Sequence, residues 1–144
     1  MGKIMAKTLP RRAAREQSFA LLFALSFQPG ARMEEVIAWA ADGGALEQDK
    51  RAAQTALLAE AHLEEIDALI EKNLHGWRIS RISRVALALL RLAVCEMLFV
   101  EAVPVGASIN EAVELAKLYG DAEVPRFING VLGSIARERT EQGG

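Results

Sequence analysis

Residues 83–100, SRVALALLRLAVCEMLFV, constrain the fold more than any other part of the chain. Between residues 85 and 100 the only charged side chains are Arg91 and Glu96. A helix of this composition is apolar on nearly every side, so other helices have to surround it. It is shorter than the roughly 18 to 20 apolar residues of a membrane span, and its two charges would be costly in lipid. The pattern predicts the buried central helix of a soluble domain.

The rest of the 144-residue chain also has helical periodicity, and we find no strand pattern or repeat. Alanine, leucine, glutamate and arginine dominate, a composition that favours helix. We predict an all-α fold of about seven helices. The length suits one domain, residues 1–144, or two small helical subdomains that share a core.

Several single residues have predicted structural roles. Trp77 lies just before the central helix and is expected to anchor that connection in the core. Gly120 is expected to end a helix in the left-handed conformation. Gly130 and Gly133 share a face of the last helix, where each costs about 1 kcal/mol relative to alanine, so we expect a neighbouring backbone close to them. Cys95 is expected to be a buried, inert thiol.

The net charge of -2 conceals an uneven distribution of charged residues. Residues 1–15 carry five basic and no acidic side chains, residues 34–71 sum to -8, and residues 72–95 again carry five basic and no acidic side chains. If the two basic segments meet in space, the protein presents a basic surface, which makes an anionic partner plausible.

Arg11, Arg12 and Arg15 fall within about 100° of one another on a helical wheel and form one basic face at the start of the first helix. Positive charge there opposes the helix dipole by roughly a few tenths of a kcal/mol per residue, so an anion should offset it. A phosphate-binding site and a solvated helix start are both open interpretations. Lys3 and Lys7 could extend the basic track, since basic arms often order on RNA.

Other charged and titratable residues favour structural roles. Pairing with the acidic segment 60–71 is slightly favoured for Arg84 and its two neighbours Arg78 and Arg81. Arg91 needs a carboxylate partner if it is buried, so we expect a structural ion pair, with RNA contact as the second interpretation. The two histidines are thirteen residues apart without a cysteine or carboxylate at metal-ligand spacing, and no glycine-rich phosphate loop occurs. We therefore expect no enzyme activity, no cofactor and no metal.

Two segments resemble a known family. The stretch VPVGASINEAVELAKLYG, followed by PRFINGVLGSIA and preceded by LLRLAVCEMLF, closely resembles the C-terminal half of the NusB family of bacterial transcription antitermination factors. RRAAREQSFALLF is similar to that family's first helix. Residues 31–75 match in pattern more than in residues, whereas INEAVELAK paired with RFINGVL is highly specific.

The resemblance implies a non-enzymatic, cytoplasmic, all-helical RNA-binding protein with two packed bundles, here at about 9–74 and 80–139. Members of the family bind the single-stranded boxA element of nascent RNA together with NusE, a ribosomal protein that doubles as a transcription factor. The complex helps RNA polymerase pass terminators, notably in ribosomal RNA operons. The expected RNA-binding residues here are Lys7, Arg11, Arg12, Arg15, Glu123, Arg126 and Phe127.

One departure from the family affects the partner surface. Many members have a glutamate followed by arginine or lysine early in the central helix, where this chain has Ala86 and Leu87. That charged pair is associated with the NusE-facing side, so Ala86 and Leu87 are the expected partner-binding residues. An unusually apolar partner surface, or a homodimer formed through it, would fit the change.

Two rival interpretations have other consequences. A helical protein-interaction module would hold a partner in an apolar groove without binding RNA. A NusB-like domain in front of a ribosomal RNA cytosine methyltransferase is the third interpretation, and the absence of a methyltransferase segment in these 144 residues counts against it.

Overall fold

The protein, described here by a computed structural model over residues 11–42 and 50–141, contains seven α-helices and one 3₁₀ turn in those ranges. The helices are α1 Arg11–Leu25, α2 Met33–Asp42, α3 Arg51–Ala61, α4 Leu63–Lys72, α5 Arg84–Phe99, α6 Val105–Tyr119 and α7 Val124–Glu141, and the 3₁₀ turn is Ile79–Arg81. No strand occurs in this part of the chain, and none of its helices is long and apolar enough to cross a bilayer. The predicted all-α fold is confirmed.

The centre of the fold is α5, as its composition predicts. It packs against α1, α3, α4, α6 and α7, and ten of its sixteen residues are buried. Leu89, Leu90 and Val94 are fully inaccessible to solvent, and each buried side chain of this size stabilises the fold by about 1.5 to 3 kcal/mol. The helix begins with a cap, because the Oγ of Ser83 accepts a hydrogen bond from the Ala86 N–H at 3.1 Å.

Two predictions about side chains of α5 are confirmed. Arg91 pairs with both carboxylate oxygens of Asp67 on α4, at 2.9 and 2.8 Å. Cys95 is fully buried, and burial raises the pKa of its thiol to about 12, with a smaller contribution from the charge of Glu96. Because the thiolate is the reactive form, Cys95 is inert at neutral pH.

The predicted core position of Trp77 is wrong, since the residue is 60% exposed. His75 and Gly76 have positive φ angles of 50° and 100° and turn the chain sharply after α4. The connection is held to the core by the partly buried Ile79 and Ile82 instead. These smaller side chains take the anchoring role and leave the indole at the surface.

The glycine predictions also need correction. Gly120 has a φ of -102° and is not left-handed. Its small size is needed because a Cβ there would lie 2.8 Å from the Cβ of Val124, at the start of α7. A Cβ on Gly130 would meet nothing within 4 Å, and one on Gly133 would meet only the Arg137 side chain at 3.4 Å. Among the described residues, the expected close backbone is absent beside both glycines.

Candidate nucleic-acid interface

The structure separates the three arginines that the helical wheel places on one face. Arg11 and Arg12 are exposed, whereas Arg15 is only 5% exposed. Arg15 belongs to the same stripe as Ser18 and Leu22, three and seven residues further along α1, and both of those are buried. The start of α1 therefore offers two arginines to solvent and directs the third into the protein.

Arg15 takes part in a buried polar network that joins three helices. Its Nε donates to Oε2 of Glu96 on α5 at 2.9 Å. The Oγ of Ser108 on α6 donates to the other oxygen, Oε1, at 2.9 Å. On the outer side, Nη1 of Arg15 lies 4.0 Å from Oε1 of Glu111, also on α6. Both oxygens of Glu96 are thus satisfied, as a buried carboxylate requires.

The same Glu111 holds Arg12. Nε and Nη2 of Arg12 donate to the two carboxylate oxygens of Glu111 at 2.9 and 3.0 Å. These hydrogen bonds lower the pKa of Glu111 and raise the pKa of Arg12. The sequence predicts that an anion offsets the positive charge at the start of α1. Glu96 and Glu111 balance part of that charge. Sequence reasoning missed both carboxylates, since they lie far along the chain.

A cavity of about 370 Å³ opens beside this network, between α1, α3 and the chain after α5. Arg11 and Arg51 both line it and are exposed, and Gln54 adds an amide. Arg51 was missed because it belongs to the segment 34–71, whose net charge is strongly negative. We call Arg11, Arg12 and Arg51 together the α1 basic site. It can accept phosphates, since guanidinium groups bind them through paired N–H donors.

A second concave surface, about 510 Å³ in volume, lies between the connection before α5 and the start of α7. We call it the α5–α7 groove. It is lined by Trp77, Arg81, Ile82, Ser83, Ala86, Asp121, Glu123, Val124, Arg126 and Phe127. The structure therefore brings the predicted RNA-binding residues near the start of α7 together with Ala86, one of the two predicted partner-binding residues.

The side chains of the predicted RNA-binding and partner-binding residues near the groove differ in solvent exposure. Arg126 and Glu123 are exposed, and Phe127 is partly buried against the core. Ala86 is 2% exposed and Leu87 is half-buried, so Trp77 supplies much of the accessible apolar surface. A homodimer through Ala86 and Leu87 stays a prediction, and Lys7 lies outside the described residues.

Arg84 contacts the turn that follows α1 and not the acidic segment predicted as its partner. It donates to the backbone carbonyl of Ser26, and its guanidinium carbon lies 4.5 Å from the ring centroid of Phe27. Arg78 and Arg81 are exposed. In the ranges 11–42 and 50–141, no group of three or more His, Cys, Asp or Glu residues could hold a metal ion.

Comparisons with known proteins find similar sequences and similar solved structures. A family model described as the NusB family matches residues 12–137. The transcription antitermination protein NusB of Exiguobacterium sp. is 41% identical over 130 residues, which are 90% of this chain and 99% of that protein. The solved structure of T. maritima NusB covers 92% of this chain and 94% of its own, with 34% identity and a TM-score of 0.79.

A second similar structure includes other molecules. A chain in a crystal structure of the antitermination factors NusB and NusE in complex with double-stranded RNA is 29% identical. The match covers 89% of this chain and 96% of that one, with a TM-score of 0.79. Arg12, Arg15, Glu96 and Glu111 all lie within the residues that the family model matches.

Proposed function

This chain belongs to the NusB family, and we propose that it is a transcription antitermination factor that binds boxA RNA of nascent transcripts together with NusE. It would act in the cytoplasm with the RNA polymerase elongation complex, notably on ribosomal RNA operons. The observation that carries this proposal is the α1 basic site with its exposed Arg12. The fold that presents this site is similar to that of a chain crystallised with NusE and RNA. Catalysis has no part in it.

Phosphate binding at the α1 basic site supplies affinity. Arg11, Arg12 and Arg51 contact phosphates directly, and Lys7, which precedes them in the sequence, adds a further phosphate contact. Arg15, with a side chain that is 4% exposed, acts from within by fixing the helix that carries its neighbours. Phosphate contacts carry no sequence information, so selectivity has to come from bases elsewhere on the surface.

The α5–α7 groove is where bases and the partner meet. Glu123 and Arg126 offer hydrogen-bonding groups to unpaired bases, and Phe127 offers the accessible part of its ring. Trp77 supplies most of the apolar surface that NusE covers, together with Ala86 in the groove and the half-buried Leu87 next to it in the chain. The presence of both sets of residues at one groove explains why RNA and partner would strengthen one another's binding.

Binding of a boxA RNA and a scrambled RNA, each with and without NusE at two salt concentrations, tests the proposed function. We expect boxA to bind more tightly than the scrambled RNA, and NusE to increase the difference. With about three to five phosphates contacted, log affinity should fall with log salt with a slope of about -2 to -3.5. Equal or absent binding of both RNAs, with NusE still bound, would instead establish a protein-interaction module.

Trp77 gives a direct report on the groove. The chain has two tryptophans, Trp39 and Trp77, so Trp39→Phe leaves Trp77 as the sole indole emitter. We expect its fluorescence to shift to shorter wavelength when NusE binds, because the exposed ring becomes covered. Trp77→Ala should weaken NusE binding and change the free energy of unfolding by no more than about 0.5 kcal/mol, as is usual for surface residues.

The matched control for the groove is Trp39→Ala, which removes an indole that is 54% exposed and lies on α2, outside the groove. That variant should bind NusE normally. Unchanged Trp77 fluorescence in a saturated complex, or equally weakened binding in both alanine variants, would contradict the assignment of the groove to NusE.

A further inference from the structure

Arg12 is held in a way that leaves part of its guanidinium available. The contact with Glu111 uses Nε and Nη2, the lateral edge of the group. A guanidinium has five N–H donors, so Nη1 and the outer N–H of Nη2 are not used in this contact. The Arg12 side chain is 61% exposed, whereas that of Glu111 is 23% exposed. The carboxylate therefore lies on the protein side of the guanidinium.

Glu111 is itself fixed by groups deeper in the protein. Its Oε1 lies 4.0 Å from Nη1 of Arg15, and Arg15 is hydrogen-bonded to Glu96. Ser108 completes the series by donating to Glu96 from within α6. A chain of polar contacts thus runs from the core to the surface and ends at Arg12, so that a long, flexible side chain is restrained at its exposed end.

We propose that Glu111 is a positioning residue for RNA binding, which holds Arg12 with its open N–H edge ready for a phosphate. This inference rests on the proposed function and adds a role for an acidic residue in a basic site. Ordering a flexible side chain on binding has an entropic cost, which is avoided when the side chain is ordered beforehand. Glu111 supplies that order through its two hydrogen bonds.

The positioning role and simple electrostatics predict opposite changes in RNA affinity when the charge of Glu111 is removed. Glu111→Gln removes a negative charge next to an RNA site, which by charge alone should tighten RNA binding. If Glu111 orients Arg12, the same substitution should weaken boxA RNA binding about two- to tenfold, because Arg12 must then be ordered on binding. The direction of the change separates the two roles.

Glu114→Gln is the matched control. Glu114 lies on the same helix, one turn further on, and pairs with Lys117 at 3.0 Å. Its charge reaches Arg12 only through space, as a weaker contribution to the raised pKa of Arg12. Removing it changes the net charge by the same amount without touching the restraint. RNA binding by this variant should be unchanged or slightly tighter.

The test is a double-mutant cycle on RNA affinity, with Arg12→Ala and Arg12→Lys as the second substitutions. Lysine keeps the charge but lacks the planar set of donors that can hold a carboxylate and a phosphate together. In a chain that already carries Arg12→Ala or Arg12→Lys, we expect Glu111→Gln to weaken RNA binding no further. In the Arg12→Lys background it should tighten RNA binding slightly. Urea unfolding of each variant would separate a defect in folding from a defect in binding.

Tighter binding by Glu111→Gln in the otherwise natural chain, or the same weakening with and without Arg12, would overturn the positioning role. These outcomes differ from a failure of the proposed function. If the natural chain binds neither RNA, antitermination through RNA is refuted. If it binds boxA and Arg12→Ala weakens that binding while Glu111→Gln does not, the proposed function stands and only the role of Glu111 is refuted.

Discussion

Replacing Glu96 with alanine is expected to lower the free energy of unfolding by about 3 to 5 kcal/mol, because it leaves a buried arginine without its partner. Arg15 and Glu96 have side chains that are 4% and 9% exposed, so water cannot readily replace the missing carboxylate. Ser108 would be left without its acceptor as well. Urea denaturation at neutral pH measures the effect.

Two variants put this destabilisation in context. Asp67→Ala breaks the ion pair with Arg91, in which Asp67 is 28% exposed, and should destabilise the protein less. Replacing both buried partners together, Arg15→Met with Glu96→Leu, should restore much of the stability, since an apolar pair has no charge to desolvate. A decrease below about 1 kcal/mol for Glu96→Ala would show that Glu111 alone can compensate Arg15.

Reversing both exposed arginines of α1, Arg11→Glu with Arg12→Glu, is expected to weaken boxA RNA binding by about 100-fold or more. Each hydrogen bond to a charged group contributes about 1.5 to 3 kcal/mol, and the new carboxylates would also repel phosphate. The salt dependence should become shallower by about 0.7 in slope for each phosphate that the protein no longer binds. Fluorescence anisotropy of labelled RNA across a salt series measures both quantities.

The matched control for charge reversal is Arg137→Glu with Arg139→Glu, near the end of α7, where both side chains are exposed. Glu138 between them pairs with Lys72 on α4, which places this end of α7 beside the C-terminus of α4. The control changes the net charge equally and should reduce RNA affinity only slightly. Equal decreases in the two variants would mean that total charge, not the α1 basic site, governs RNA binding.

The sequence predicted the elements of the fold because its signals are local. An almost continuously apolar stretch needs neighbours on all sides, and α5 has them. Arg91, as a charge on that helix, needed a carboxylate, and Asp67 supplies it. By the same reasoning, a buried Glu96 needs a buried cationic partner. Arg15 fits this role, because it lies on the same face of α1 as the buried Ser18 and Leu22. The Arg15–Glu96 pair therefore has a signal in the sequence.

Other features of the site have no local signal. The partner of Arg12 lies 99 residues away in sequence, so no spacing rule identifies it. The exposure of Trp77 is set by the turn at His75 and Gly76, which composition does not predict. The α5–α7 groove forms where segments about 45 residues apart meet, and only the packing of α5 with α7 creates it.

The long sequence separation of these contacts has a consequence for the order of events on the ribosome. At synthesis rates of about 5 to 20 residues per second, Arg12 is added to the chain roughly 5 to 20 s before Glu111, which lies 99 residues later. During that interval Arg12 lacks the carboxylate that holds it, and Arg15 lacks its own partner until Glu96 on α5 has been added. A nascent chain stopped before α6 therefore carries the basic residues without their restraint, and its phosphate-binding surface takes shape only after α6 has left the exit tunnel.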